Sequence, residues 1–576
     1  MKRILFALSI LTLAACKKDF LDRQPISDID PGSFFNNEKD LTLYTNSFYA
    51  MLPGTDIYSA DITSDNVEPA VIGDVVAGRT IVQTDASAAQ WTWSDLRNVN
   101  YFLAHYHKAA VSDSIKAHYA GIARFFRAMF YFTKVQRFGD VPWYSDPLEA
   151  NSPELYKGRD PRKLVVDSII ADLNYAAANI KTAKNTSRIT KWAALALKSR
   201  VCLFEGTYRI YHTENSQGGA TELLQQSVEA AQQVMQSGLY KLYTTNNPTV
   251  DYANLFTADV ANADEYILAR VYDRTLTKTH GANGQFLTST LSAPGLTKTL
   301  INSYLMSDGT AFSAQAGYAT TPYWEEIKGR DPRLAQTIRT PGYKRINTTA
   351  TLVPDYSNAM TGYQCIKFVT GTDQDGNNTN TNDLPIFRYA EVLLNYAEAK
   401  AELKQFAQAE ADASVNLIRK RAGMPAMQVA TLKTDPLLQT EYNITDPVIL
   451  EVRRERRVEL AMEGFRYQDL MRWKRGPLLA QDFKGAWFPG VGIYDLDQDG
   501  KNDLAIVQTK PASPDKALQY FVLQPDRGLS DGDKGNLIVH PGANKHFDDP
   551  KHYLFPLPLT ELLLNTNLQQ NKGWEQ

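Results

Sequence analysis

The clearest metal-ligand spacing in this sequence is Asp495-Leu496-Asp497-Gln498-Asp499-Gly500-Lys501-Asn502-Asp503, with acids at positions 1, 3, 5 and 9 and glycine at position 6. Calcium takes about six to eight hard oxygens, and this spacing turns alternate carboxylates inward while the glycine allows a sharp bend. With Lys501 at the seventh position, the candidate calcium set is Asp495, Asp497, Asp499, Lys501 and Asp503. An EF-hand loop would end in a bidentate glutamate, but Ile506 stands at position 12. Two readings are therefore open: a structural calcium clip on a loop, or an acidic turn that binds nothing. No other cofactor is called for. The local histidine cluster, His540, His546 and His552 with Asp548 and Asp549, reads as solvated loop residues.

Spacings for catalysis are missing: the chain has no His-Glu-x-x-His, no Gly-x-Ser-x-Gly, no Walker-type loop and no Gly-x-Gly-x-x-Gly after a strand. These absences weigh against protease, esterase, NTPase and dinucleotide enzymes. A glycoside hydrolase stays open as a rival, since its two carboxylates can come from distant positions and the chain carries 64 acids. Those acids balance 61 basic residues, so no positive excess exists to neutralise nucleic-acid phosphates. For binding, the informative residues are aromatics outside regular helices, because sugar rings stack on indole or phenol while amides and charged groups satisfy their hydroxyls. Trp91-Thr92-Trp93 follows a polar loop and precedes a helix with Arg97, Asn98 and Asn100, and Tyr318, Tyr323 and Trp324 sit in a Gly/Thr/Pro-rich setting. The candidate ligand set is Trp91, Trp93, Asn98, Tyr318, Tyr323 and Trp324, with ordinary core packing as the alternative for each aromatic.

The elements that must position these residues follow from periodicity. Lys2 and Arg3, an apolar run and Leu13-Ala14-Ala15-Cys16 have the form of a lipoprotein signal (residues 1–15), cleaved before an acylated Cys16. Residues 16–37 read as a polar tether. Apolar residues at helical spacing then mark helices near 41–51, 96–111, 114–138, 164–180, 191–205 and 223–237, within an N-terminal helical region at 38–240. The last two form a pair with small residues at the contact positions (Ala193, Ala194, Ala196, Ala230, Ala231), spaced like a tetratricopeptide unit. A second pair is expected at 387–403 and 407–421, in a helical region at 385–475. Residues 241–384 and 476–576 are richer in Gly, Asn, Thr and Pro, and read as a loop-rich insertion and a loop-rich C-terminal region with short strands. The hexapeptide Lys-Gly-Arg-Asp-Pro-Arg occurs at 157–162 and 328–333, and each copy reads as a helix start capped by its aspartate. Glutamates 451, 455, 459 and 463, interleaved with Arg453, Arg454, Arg456 and Arg457, suggest a solvated, ion-paired helix face. Cys202 and Cys365 can pair only if the fold brings them together.

Several segments together resemble the SusD/RagB family of Bacteroidetes surface lipoproteins. They are the lipobox with Phe20-Leu21-Asp22, Arg127-Ala128-Met129-Phe130-Tyr131-Phe132, Phe138-Gly139-Asp140-Val141-Pro142, residues 388–399, Ile418-Arg419-Lys420-Arg421-Ala422-Gly423, residues 455–466 with Arg472-Trp473, and Leu554-Phe555-Pro556-Leu557-Pro558. Near the C-terminus, Asn571-Lys572-Gly573-Trp574 departs from the family's usual Asn-Pro-Gly-Tyr. The resemblance implies a mainly α fold, with tetratricopeptide-like helical pairs packed against a loop-rich half. It implies no catalysis but capture of a nutrient, usually a glycan, at the outer membrane, and delivery to a SusC-like TonB-dependent transporter. Peptide capture, as in the RagB branch, is the alternative. It also favours the two aromatic regions above as ligand sites.

Overall fold

The structure is a computed structural model, which describes residues 34–215 and 218–575. Cys16 and the signal lie outside the described residues. Among the described residues no helix is long and apolar enough to cross a membrane. The main helices are α1 (Glu38–Ser47), α2 (Ser94–His105), α3 (Asp113–Phe138), α4 (Arg162–Asn179), α5 (Lys191–Tyr211), α6 (Ala220–Gln236), α7 (Tyr389–Glu402), α8 (Gln408–Ala413), α9 (Val415–Arg421), α10 (Pro447–Glu459), α11 (Arg466–Arg472) and α12 (Leu559–Leu564).

Helices α3 to α6 pack consecutively, and α7 continues the array against α5 and α6. Local chemistry fixes their ends. Ser112 Oγ accepts from Ile115 N at the start of α3, and Thr190 Oγ1 accepts from Ala193 N at the start of α5, satisfying amides that have no partner within the helix. The expected small-residue seam between α5 and α6 is present. Ala193, Ala194, Ala196, Ala230 and Ala231 are all buried, and Ser227 Oγ donates across to Ser199 O at 2.8 Å. A Cβ added at Gly206 would lie 2.9 Å from Leu224 Cδ2, so the two helices approach as closely as they do only because that position is bare.

Three expectations need correction. The helix expected over 407–421 is broken into α8 and α9 at Ser414, whose φ and ψ are −139° and −89° and whose hydroxyl donates to Glu410 O at 2.6 Å. A serine side chain here competes with the helical ladder for a backbone carbonyl. The first hexapeptide copy does precede α4, but Asp160 is not its cap: that carboxylate accepts from Trp143 N, and Asp140 Oδ1 takes the free Arg162 amide at 2.7 Å. The second copy leads only into a 3-10 turn, Leu334–Gln336. Both copies share a different role, in which the last arginine enters a buried ion pair, Arg162 with Glu205 and Arg333 with Asp331, Glu455 and Glu459.

The third correction is α10, which is no solvated face. Glu451 to Glu459 are all buried. Arg388 bonds Glu459 and Glu463 at 2.7 Å and Glu265 at 3.0 Å, Arg421 bonds Glu459, Arg419 bonds Glu451 and Glu455, and Arg457 bonds Asp65 and Glu441. Alternating acid and base along a helix fits either a wet face or a dry one whose partners come from other elements. Here the partners come from Asp65, from the insertion and from α9 and α11. Burial alone would push the Glu398 carboxyl up, but Arg472, Arg456 and Arg453 outweigh it and hold that group at about 2.

Strands are short. They are β1 (Val67–Glu68), β2 (Tyr266–Arg270), β3 (Gly295–Leu296), β4 (Leu384–Arg388), β5 (Lys484–Phe488), β6 (Gly492–Tyr494), β7 (Leu504–Val507), β8 (Gln519–Val522), β9 (Arg527–Leu529) and β10 (Gly535–Val539). They form the sheets β1-β3, β2-β4, β5-β10-β9 and β6-β7-β8. Of these, β2 and β4 are buried in the main core. The loop-rich half thus carries Tyr318, Tyr323, Trp324 and the acidic run, while Trp91, Trp93 and Asn98 sit at the start of α2 in the helical half. Cys202 and Cys365 are both buried and free.

Candidate ligand-binding site

The six ligand candidates do not converge on one place. Trp91 is nearly buried, with 3% exposed: its ring meets Phe138 edge-on at 4.9 Å and Trp93 at 5.2 Å, and it lines the base of the same cavity as Trp93. Tyr323 is fully buried and donates its hydroxyl to Arg339 O at 2.6 Å. Trp324 is half-buried and stacks on Tyr494 at 5.7 Å, with Phe488 behind it. Asn98 donates to Ser47 Oγ at 3.2 Å. Trp93 and Tyr318 remain, and each lines a cavity with no lining residue in common with the other.

Tyr318 opens a 3-10 turn (Tyr318–Thr320) after Gly317, whose φ of 73° sets the left-handed turn that presents the ring. The cavity beside it measures about 280 Å³, with the phenol and Leu437 as apolar walls. Asn302, Thr299, Asp482, Lys484 and Asn536 supply polar groups. Asp65 and Glu441, also on the lining, are already ion-paired to Arg457 and Arg466. Asn302 is different. It sits on the short helix Lys298–Ser303, is only 8% exposed, and its Oδ1 is buried without a hydrogen-bond donor from the protein. A buried carbonyl oxygen left unpaired costs about 1–3 kcal/mol. Asn536 anchors the opposite side through Nδ2 to Gly485 O at 2.9 Å. Neither asparagine was nominated from sequence, although Asn302 does interrupt the apolar stretch Leu300-Ile301 to Tyr304-Leu305.

The second cavity, about 260 Å³, lies where the loop before α2 meets residues 142–155 and α12. Trp93 and Tyr144 meet there edge-to-face at 5.6 Å, with Leu148, Leu155 and Leu568 completing an apolar floor. Tyr144 was also missed, though Trp143-Tyr144 follows Pro142 outside any regular helix or strand. A larger cleft of about 480 Å³, between α3, α5 and α11, contains none of the six candidates.

The acidic run is the connection of the β6–β7 hairpin. Asp495, Asp497 and Asp503 each offer a carboxylate oxygen within 4.8 Å of the others. Burial and the neighbouring Asp497, Asp495 and Asp499 raise the Asp503 pKa. Asp499 instead pairs with Lys501 Nζ at 2.8 Å. Three of the acids therefore converge, with the fourth turned aside. His546, Asp548 and His552 also approach one another. His552 Nδ1 accepts from Asp548 N at 3.0 Å, so the ring proton sits on Nε2, and coordination there would require giving up that bond.

Comparison with known proteins gives the class first. The structure superposes on a SusD-like carbohydrate-binding protein of Bacteroides fragilis with a TM-score of 0.72 at 23% identity, covering 93% of this chain and 100% of that one. A structure solved with xylogluco-oligosaccharide matches with a TM-score of 0.62 at 18% identity, over 92% of this chain and 97% of that one. The fold is therefore the helical SusD-like fold. In sequence, a family model described as SusD family matches residues 264–574, and one described as starch-binding associating with outer membrane matches residues 19–203. SusD-like protein P25 of Formosa agariphila is 25% identical over 544 residues, covering 85% of this chain and 93% of that protein. This chain belongs to the SusD/RagB family.

Proposed function

We propose that this chain is a non-catalytic surface lipoprotein of the outer membrane, anchored through Cys16, that captures oligosaccharide and passes it to a SusC-like TonB-dependent transporter. The observation that carries the reading is a cavity walled by the Tyr318 ring and lined by the polar side chains Asn302, Thr299, Lys484 and Asn536. An apolar platform beside a few convergent polar groups is what a hydroxyl-rich ring requires. The family membership, the outer-membrane description of the N-terminal match and the sugar present in a structural neighbour support it.

The test is isothermal titration of the folded chain with xylogluco-oligosaccharide and a panel of other polysaccharide fragments. Tyr318→Ala and Asn302→Ala should each weaken binding of whichever fragment binds by about 1–3 kcal/mol, roughly five- to 150-fold, with melting nearly unchanged. Wild-type affinity in both variants would refute the site. Turnover of any fragment, abolished by a single carboxylate substitution, would refute the non-catalytic reading.

A further inference from the structure

The Trp93 cavity carries a different chemistry from the Tyr318 cavity. Its floor is apolar, and the apolar surface does not stop at its mouth. Leu155, on the lining, is 39% exposed, Tyr156 beside it is 57% exposed, and Leu563 and Leu564 at the end of α12 are 72% and 71% exposed. The two segments are tied together: Asn565 Nδ2 donates to Leu155 O and Lys157 O, and Asn567 Nδ2 donates to Tyr156 O. Tyr156 therefore extends the floor as part of a fixed surface rather than as a separate loop tip. Contiguous exposed apolar surface around an aromatic-lined pocket marks a docking site for another macromolecule.

The rim has one sign of charge. Asp146 and Glu561 line the cavity and Glu149 stands at its edge, while the lining's only cation, Arg97, is taken up by Glu149 at 3.2 Å. Glu561 is partly buried, and that burial together with the charge of Asp85 raises its pKa. The nearby Lys157 is likewise occupied, by Asp160 at 2.6 Å. An apolar floor with an uncompensated acidic rim fits an occupant that combines an apolar side chain with positive charge. The exposed Leu155 and Tyr156 at the mouth call for an occupant longer than a single ring.

We propose that the surface formed by Trp93, Tyr144, Leu155, Tyr156 and Glu561 docks a segment of a partner protein, which inserts one apolar side chain into the cavity and sets lysine or arginine against Asp146 and Glu561. The site is separate from the Tyr318 cavity and stands whether or not that cavity binds sugar.

The experiment uses the folded chain and two dye-labelled synthetic peptides of equal length, one alternating leucine with lysine and one alternating leucine with glutamate, read by fluorescence anisotropy. The lysine peptide should bind at least tenfold more tightly than the glutamate peptide, and its affinity should fall as salt rises. Combining Asp146→Asn with Glu561→Gln should weaken it at least fivefold, and Leu155→Ser should do the same, with melting and oligosaccharide titration unchanged. Equal binding of both peptides, no binding, or indifference to these variants would overturn the proposal. So would displacement of the peptide by oligosaccharide, which would make the cavity a sugar site. A dimer in sedimentation that Leu563→Ser with Leu564→Ser dissociates would overturn it too, by making the occupant a second copy of the chain.

Discussion

At the scale of single residues, aromatic type and loop context were legible but the direction of each ring was not. Trp91 and Trp93 are separated by one residue, and the first faces Phe138 in the core while the second faces Tyr144 at a cavity. Tyr318 and Tyr323 divide in the same way, because Gly317 turns the first outward and the one-turn helix Tyr323–Glu326 carries the second in. The two classes are expected to separate by measurement: Trp91→Ala and Tyr323→Ala should each cost about 3–5 kcal/mol of stability in a denaturant melt, as truncation in a packed core does, while Tyr318→Ala should cost much less. Asn302 escaped notice because an asparagine without a partner is visible only once its neighbours are placed. The acid spacing at 495–503 was legible, but the capture of Asp499 by Lys501 was not. If the three converging carboxylates hold calcium, the melting temperature of metal-stripped protein should climb with added calcium, and Asp497→Ala should abolish that response. An unchanged melting curve in the wild type would mean that the turn binds nothing.

At the scale of elements, helix existence read well from periodicity, and the α5–α6 seam read well from its alanines. Helix environment did not. An alternation of glutamate and arginine has the same pattern whether its partners are water or other side chains, and only the fold supplies Arg388, Arg421 and Asp65 to α10. The distinction has measurable consequences. Removing one member of a buried pair leaves a charge stranded, so Glu459→Gln is expected to destabilise by about 3–5 kcal/mol, not the few tenths of a solvated pair. The arginines hold Glu398 at about 2 and keep Glu459 and Glu451 below the usual glutamate value of 4.5, in each case against burial. Carboxyls depressed in the folded state give stability that is fully present above the unfolded pKa and lost as pH falls through the folded one. Stability measured by denaturant titration should therefore hold above pH about 4.5 and decline steeply toward pH about 2. A flat profile across that window would contradict the network.

At the scale of the whole molecule, the overall architecture was recoverable because many short motifs recur in order along the chain, while the separation of the two cavities was not, since it depends on how the insertion seats against the helices. The anchor is tested on the whole chain: Cys16→Ala should abolish lipid labelling and processing at that residue, and labelling equal to the wild type would contradict the lipobox. The charge network has one more consequence. Asp65, from the N-terminal part of the chain, accepts from both Arg457 and Arg466, nearly four hundred residues later. Cut the chain near residue 264, where the C-terminal family match begins, and those two guanidiniums are left sharing Glu441 in a dry interior. The matched stretch is thus not a module that can be excised or grafted. A chimera joined there would have to bring its own aspartate, and a chain nicked there would keep its two pieces clamped by buried charge.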